Sequence, residues 1–188
     1  MLVATLLSCA AAANAAPALK SGVFSPARMA PEIAHKAADG SALRLSALRG
    51  KVVVLEFGFT HCPAVCPASL AALAAARQKL GQQADRLQVV FVSVDPERDT
   101  PARLSSYLAQ FDKSFIGITG TPEQMAAIRK DYGITATRHP AGDGKAQYQV
   151  GHSSYLYFID KKGMLRALMP FGRPVEEIVH DVNLLAAE

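Results

Sequence analysis

Two cysteines and one distant histidine carry the most chemistry in this sequence. Cys62 and Cys66 lie four residues apart in Phe57-Gly58-Phe59-Thr60-His61-Cys62-Pro63-Ala64-Val65-Cys66-Pro67. On a helical turn their Cα atoms would stand about 6 Å apart on one face, near enough for a disulfide. The same spacing lets two thiolates chelate one soft cation. Redox chemistry and metal binding both fit it. A helix beginning here would place Cys66 at or beside its amino-terminal end, where free N–H groups and the helix dipole favour a thiolate. The Pro-flanked setting argues against burial of either sulfur.

The elements around the pair are legible. Lys51 to Phe59 (KVVVLEFGF) is a nearly continuous apolar, β-branched run suited to a strand buried on both faces. Cys66 to Leu80 then carries Leu70, Leu73, Arg77 and Leu80 at helical spacing, with Pro67 at the start and Gly81 just past the end. The cysteines therefore leave the carboxyl end of a strand, where open α/β sheets put their sites. Leu87 to Val94 reads as a second buried strand. Helices capped at Asp99 or Thr100 and at Thr121, each followed by proline, flank a short strand at Phe115 to Thr119. Thr135 to Gln147 reads as loop with a Gly142-Asp143-Gly144 turn. Strands at Tyr155 to Asp160 and Met164 to Met169 form a hairpin around Lys161-Lys162-Gly163, and a last helix follows Pro174. The order β-α-β-α-β-α-β-β-α predicts an α/β fold, a three-layer sandwich with a central mixed β-sheet flanked by helices.

Gly151-His152-Ser153-Ser154 immediately precedes the hairpin. In a thioredoxin-like sheet, that loop faces the loop bearing the cysteines, so His152 could complete a two-sulfur, one-nitrogen set. A closed structural zinc site takes four protein ligands, and no obvious fourth is present. Three such ligands suit trigonal copper(I), with an open position for transfer or for an added ligand on copper(II). Read by itself, His152 is more readily a hydrogen-bonded loop histidine than a ligand.

From about Ser46 to Leu185 the sequence resembles the Sco/SenC family of thioredoxin-like copper proteins. The resemblance rests on GFTHCPAVCPASL (Gly58 to Leu70), VSVDPERDTP (Val92 to Pro101) and HSSYLYFIDKKG (His152 to Gly163), in that order. It implies copper ligation by Cys62, Cys66 and His152. It also implies a role in assembling the binuclear copper centre of cytochrome c oxidase, with that enzyme's copper-bearing subunit or another periplasmic copper chaperone as partner. Two positions depart from the family pattern. Ala64 or Val65 stands where many members have an acidic residue, and Gly151 stands where many have Asp, removing a candidate partner for the imidazole. By analogy with thioredoxin motifs, Cys62 is the expected attacker and Cys66 the resolving sulfur in the competing reading, a thiol–disulfide reductase. A thiol peroxidase is disfavoured, since Pro63 occupies the place of the threonine that chemistry wants.

The whole chain sets the context. Its 188 residues, 50% hydrophobic and 19% charged, suit one packed domain. The net charge of +4 is dispersed, which argues against nucleic acid. A monomer is expected. Residues 1–15 read as a signal peptide ending at Ala13-Asn14-Ala15, which leaves 16–188 as the mature domain, with its core at about 46–188. No Lys or Arg precedes the apolar stretch, which allows a true start upstream. Cys9 loosely fits a lipoprotein box, giving a membrane tether as the alternative to a periplasmic or exported protein. His61, His35, His139, His180, Met164 and Met169 are expected at the rim, on the surface or in the core rather than as ligands. Asp95 would either orient the site or serve as a turn residue receiving backbone N–H groups.

Overall fold

The computed structural model describes residues 18–140 and 148–188. The expected signal peptide, Cys9 and the Gly142-Asp143-Gly144 turn lie outside the described residues.

The apolar run after Lys51 forms β4 (Val52–Gly58), and every one of its residues is buried. It sits inside a six-stranded sheet and pairs in parallel with β5 (Leu87–Ser93). β5 pairs in parallel with β6 (Ile116–Ile118). On its other side β4 pairs antiparallel with β9 (Tyr155–Ile159), which turns through Gly163, at φ 83°, into β10 (Met164–Pro170). A positive φ there is what glycine tolerates and other residues resist. The sheet is mixed, as the alternation of elements predicts.

The lead-in before Lys51 holds more structure than its polarity suggests. β1 (Gly22–Met29) closes the sheet edge against β10, giving the order β1-β10-β9-β4-β5-β6. β2 (Ala34–Lys36) and β3 (Ala42–Arg44) make a small hairpin of their own. β1 is mostly exposed and lacks the apolar signal that identifies buried strands. The segment expected as loop after Thr135 instead contains β7 (Ala136–Pro140), paired antiparallel with β8 (Tyr148–His152). Val150 is the one buried side chain of these ten residues, so the hairpin has almost no hydrophobic pattern to read.

Among the described residues, four α-helices complete the layers: α1 (Val65–Leu80), α2 (Pro101–Leu108), α3 (Pro122–Asp131) and α4 (Val175–Ala187). Thr100 caps α2 through the Arg103 N–H, and Thr121 with Gln124 forms a capping box on α3. α1 packs beside α4. Alternate β4 residues face opposite layers. Gly58 faces the first turn of α1, where an added Cβ would lie 2.9 Å from the Cys66 sulfur and 2.6 Å from the Phe91 ring. Phe57 faces the other way, 5.5 Å from the Tyr132 ring and 5.6 Å from the Tyr157 ring. Leu70, Leu73 and Ile118 are fully buried between sheet and helices, each large side chain contributing roughly 1.5–3 kcal/mol. No helix among the described residues is long and apolar enough to cross a membrane.

Candidate metal and thiol site

Both cysteines are free thiols at the junction of β4 and α1. α1 begins after Ala64, which has no capping side chain. The Cys62 sulfur supplies an acceptor instead: it takes the Cys66 backbone N–H at 3.4 Å. With Ala64 and Val65 N–H groups also directed at it, and a hydrogen bond from the Cys66 thiol first among the causes, the Cys62 thiol is pulled down to about 5. Cys66 moves the opposite way. Donating to Cys62 and buried at 0% exposure, its thiol is pushed well above the usual range. The thiolate expected at Cys66 is therefore at Cys62, and Cys66 is buried despite its prolines. The reason is local: the free N–H groups of a helix start point back toward the residues before it, where Cys62 lies.

The fold carries His152, at the end of β8, to the cysteines. Its Nε2 lies 3.9 Å from the Cys66 sulfur. Its Nδ1 is 2.9 Å from the Ser153 carbonyl oxygen, which can only accept, so Nδ1 holds the hydrogen and the Nε2 lone pair faces the sulfur. The ring stands edge-on to buried Phe59 at 5.8 Å between centroids. A sulfur and a nitrogen bound trigonally to one small cation, at about 2.3 and about 2.0 Å, would be about 3.7 Å apart. Among the described residues, no three His, Cys, Asp or Glu side chains already stand at the spacing of a metal cluster. Closing a three-ligand set thus needs the three donor atoms to draw closer together. Gly151 leaves the imidazole no less supported, since Ser153 already holds Nδ1. A Cβ at 151 would meet His139 Nε2 at 3.2 Å.

Beneath the pair lies Glu56, a residue passed over in the apolar run. It is 4% exposed, and burial pushes its carboxyl up to about 8, with the Cys62 charge adding and a Ser69 hydrogen bond opposing. Its Oε2 has no hydrogen-bond partner. Glu56, Ser69, His152 and Ser154 line one narrow cavity, rimmed by the exposed aromatics Tyr155 and Phe171. A lone charge in an otherwise apolar strand is the signal that could have found it.

The other candidates fall where expected or nearby. His61 is at the rim, 3.3 Å from the Thr60 hydroxyl, and burial with Arg103 and Arg98 nearby lowers its pKa. Thr60 in turn donates to buried Asp99 at 2.7 Å. His35 contacts the Lys36 carbonyl, and His180 contacts Asp181. Met169 is in the core, and Met164 pairs across from Met29 of β1. Asp95 is fully buried and is a turn residue: its backbone carbonyl accepts the Arg98 and Asp99 N–H groups at 3.2 and 3.0 Å, while its carboxylate receives Arg98, the Tyr148 hydroxyl at 2.6 Å and Arg138 at 3.7 Å.

A family model described as SCO1/SenC matches residues 27–187. The mouse mitochondrial SCO2 homolog is 35% identical over 137 residues, covering 72% of this chain and 53% of that protein. A Rickettsia felis SCO2-like protein is 34% identical over 66% of this chain and 61% of its own length. The chain thus spans between half and two thirds of these relatives. Among solved structures, copper-bound Bradyrhizobium japonicum ScoI superposes with a TM-score of 0.76 at 33% identity, covering 84% of this chain and 99% of that one. This agreement confirms the thioredoxin-like three-layer arrangement. With the family model matched across residues 27–187 and the fold shared with copper-bound ScoI, the chain belongs to the SCO1/SenC family.

Proposed function

We propose that this protein is an exported copper carrier that holds the metal through Cys62, Cys66 and His152 and passes it to an acceptor, assisting assembly of the binuclear copper centre of cytochrome c oxidase. The observation that carries the reading is the Nε2 lone pair of His152 facing the Cys66 sulfur at 3.9 Å, beside a second sulfur that already bears charge. Two sulfurs and an imidazole form a donor set that copper(I) favours. Copper is cargo here. Loading displaces the Cys66 proton, and release proceeds as acceptor thiolates replace the three ligands one at a time. The apolar leader at 1–15 supports export to the periplasm, with a lipid tether at Cys9 as the variant of that reading.

Copper(I) titration of the reduced protein, with X-ray absorption to identify ligands, tests this. One copper per chain with mixed sulfur and nitrogen ligation is expected. His152→Ala should weaken binding by about tenfold or more, at least the loss seen when a ligand's support is removed. Absence of copper binding under reducing conditions refutes the carrier.

A second reading draws on the unequal sulfurs. The Cys62 thiolate attacks an acceptor disulfide, forming a mixed disulfide and releasing one acceptor sulfur, which takes a proton. Cys66 then gives up its proton and displaces the second acceptor sulfur, leaving a Cys62–Cys66 disulfide and a reduced acceptor. His152→Ala should leave that exchange largely intact, which separates the two readings.

A further inference from the structure

His152 reaches the site on a hairpin that the main sheet does not hold. Among the described residues β7 and β8 pair only with each other. Val150 is the one buried side chain of the hairpin, with Ala136 and Tyr148 half-buried beside it, so apolar packing fixes the hairpin's position weakly. A polar stack supplies what packing does not. Two guanidiniums lie over the Tyr148 ring, Arg98 at 3.8 Å and Arg138 at 4.8 Å from its centroid. Its hydroxyl donates to Asp95 at 2.6 Å, and Arg98 donates to the Tyr148 carbonyl at 3.1 Å. Asp95 is wholly buried and accepts from Arg98 as well. Arg138 of β7 bonds Glu97 at 2.8 Å.

The stack continues to the site. Arg98 also lies 5.8 Å from the Phe59 ring, and Phe59 meets His152 edge-on. The loop after β5, the strand end bearing the cysteines and the histidine hairpin thus meet through one guanidinium. Breaking a buried ion pair by removing one partner is costly because it leaves an uncompensated charge. A planar guanidinium stacked on two rings holds a defined arrangement more strictly than an ammonium.

We propose that Asp95, Arg98 and Tyr148 form a latch that seats the β7–β8 hairpin so that the His152 Nε2 faces the cysteines. All three are positioning residues acting through His152. The latch rests on the carrier reading for only one of its two readouts.

The test compares wild type with Tyr148→Phe, which keeps the ring and removes the hydroxyl, and Arg98→Lys, which keeps the charge and removes the planar stack. Asp95→Asn keeps the side-chain size and removes the charge that Arg98 and Arg138 face. The copper-free readout is amide hydrogen exchange in the reduced protein. Residues 148–152 should exchange about tenfold faster or more in the first two variants, the effect of losing a charge-assisted hydrogen bond. β4 and β5 should be unchanged, and Asp95→Asn, which leaves Arg98 and Arg138 facing no buried charge, should be at least as severe as Tyr148→Phe. The second readout is copper(I) affinity, expected to fall about tenfold with weakened nitrogen ligation. Unchanged exchange in the hairpin overturns the latch, as does uniform acceleration that includes β4 and β5. Faster hairpin exchange with unaltered copper affinity and nitrogen ligation overturns it too. If wild type binds no copper, the carrier reading fails, and the exchange readout still decides whether the latch exists.

Discussion

Glu56→Gln gives a sharp test of the electrostatics under the thiols. The folded protein holds the Glu56 proton up to about pH 8, whereas the unfolded chain releases it near 4.5. Because the folded value is raised, its contribution to stability is full below 4.5 and is lost as pH rises toward 8. The gap corresponds to on the order of 5 kcal/mol, a large share of a small domain's total stability. Cys62 works in the opposite direction. Its folded value, about 5, lies below the ordinary 9.0, so its contribution is full above 9 and is lost as pH falls through 5. The two trends mask each other, so the comparison belongs in a Cys62→Ser background. Removing that charge also removes the smallest cause of the Glu56 shift, which makes the expected loss somewhat smaller. Urea unfolding of Cys62→Ser and of Cys62→Ser with Glu56→Gln, at pH 5, 6.5 and 8, reads the effect directly. The protein keeping Glu56 should lose most of that stability by pH 8, and its Gln counterpart less than about 1 kcal/mol. Parallel stability curves would refute the reasoning, because they would mean that the buried carboxyl ionises as it does in water.

Two further outcomes follow from the same junction. In the reduced protein, iodoacetamide should modify Cys62 first, with a reactivity midpoint near pH 5; mass spectrometry showing Cys66 labelled first at pH 6 would contradict the assigned thiolate. Gly58→Ala should lower stability by about 1–3 kcal/mol in thermal or urea unfolding, because the new methyl would sit 2.6 Å from the Phe91 ring and 2.9 Å from the Cys66 sulfur. An unaltered midpoint would show that the strand and helix are less tightly apposed there.

The carrier and reductase readings differ in what they ask of the same atoms. Disulfide exchange needs the inequality between Cys62 and Cys66, which a helix start imposes within five residues of chain. Copper transfer needs that inequality to vanish on loading, when both sulfurs become ligands, and it needs an imidazole arriving from 86 residues away. His152 is thus the residue on which the two functions part.

Local sequence determined the elements with strong local causes. β4 and β5 are apolar runs long enough to be recognised as buried strands, and the Thr-Pro starts of α2 and α3 announce themselves because capping is a contact between near neighbours. The two thiols belong to the same class, since four residues fix their proximity. Elements stabilised mainly by distant partners were illegible. β1 gains its strand geometry from β10, and the β7–β8 hairpin gains its place from Asp95 and Arg98, with little apolar patterning in either. Tertiary structure alone decided which sulfur carries the charge, because that depends on where N–H groups and burial fall around each one. It alone also revealed that the single acid of a buried strand lies beneath the thiols, and that an imidazole late in the chain faces them: both are facts of three-dimensional neighbourhood that residue spacing does not encode.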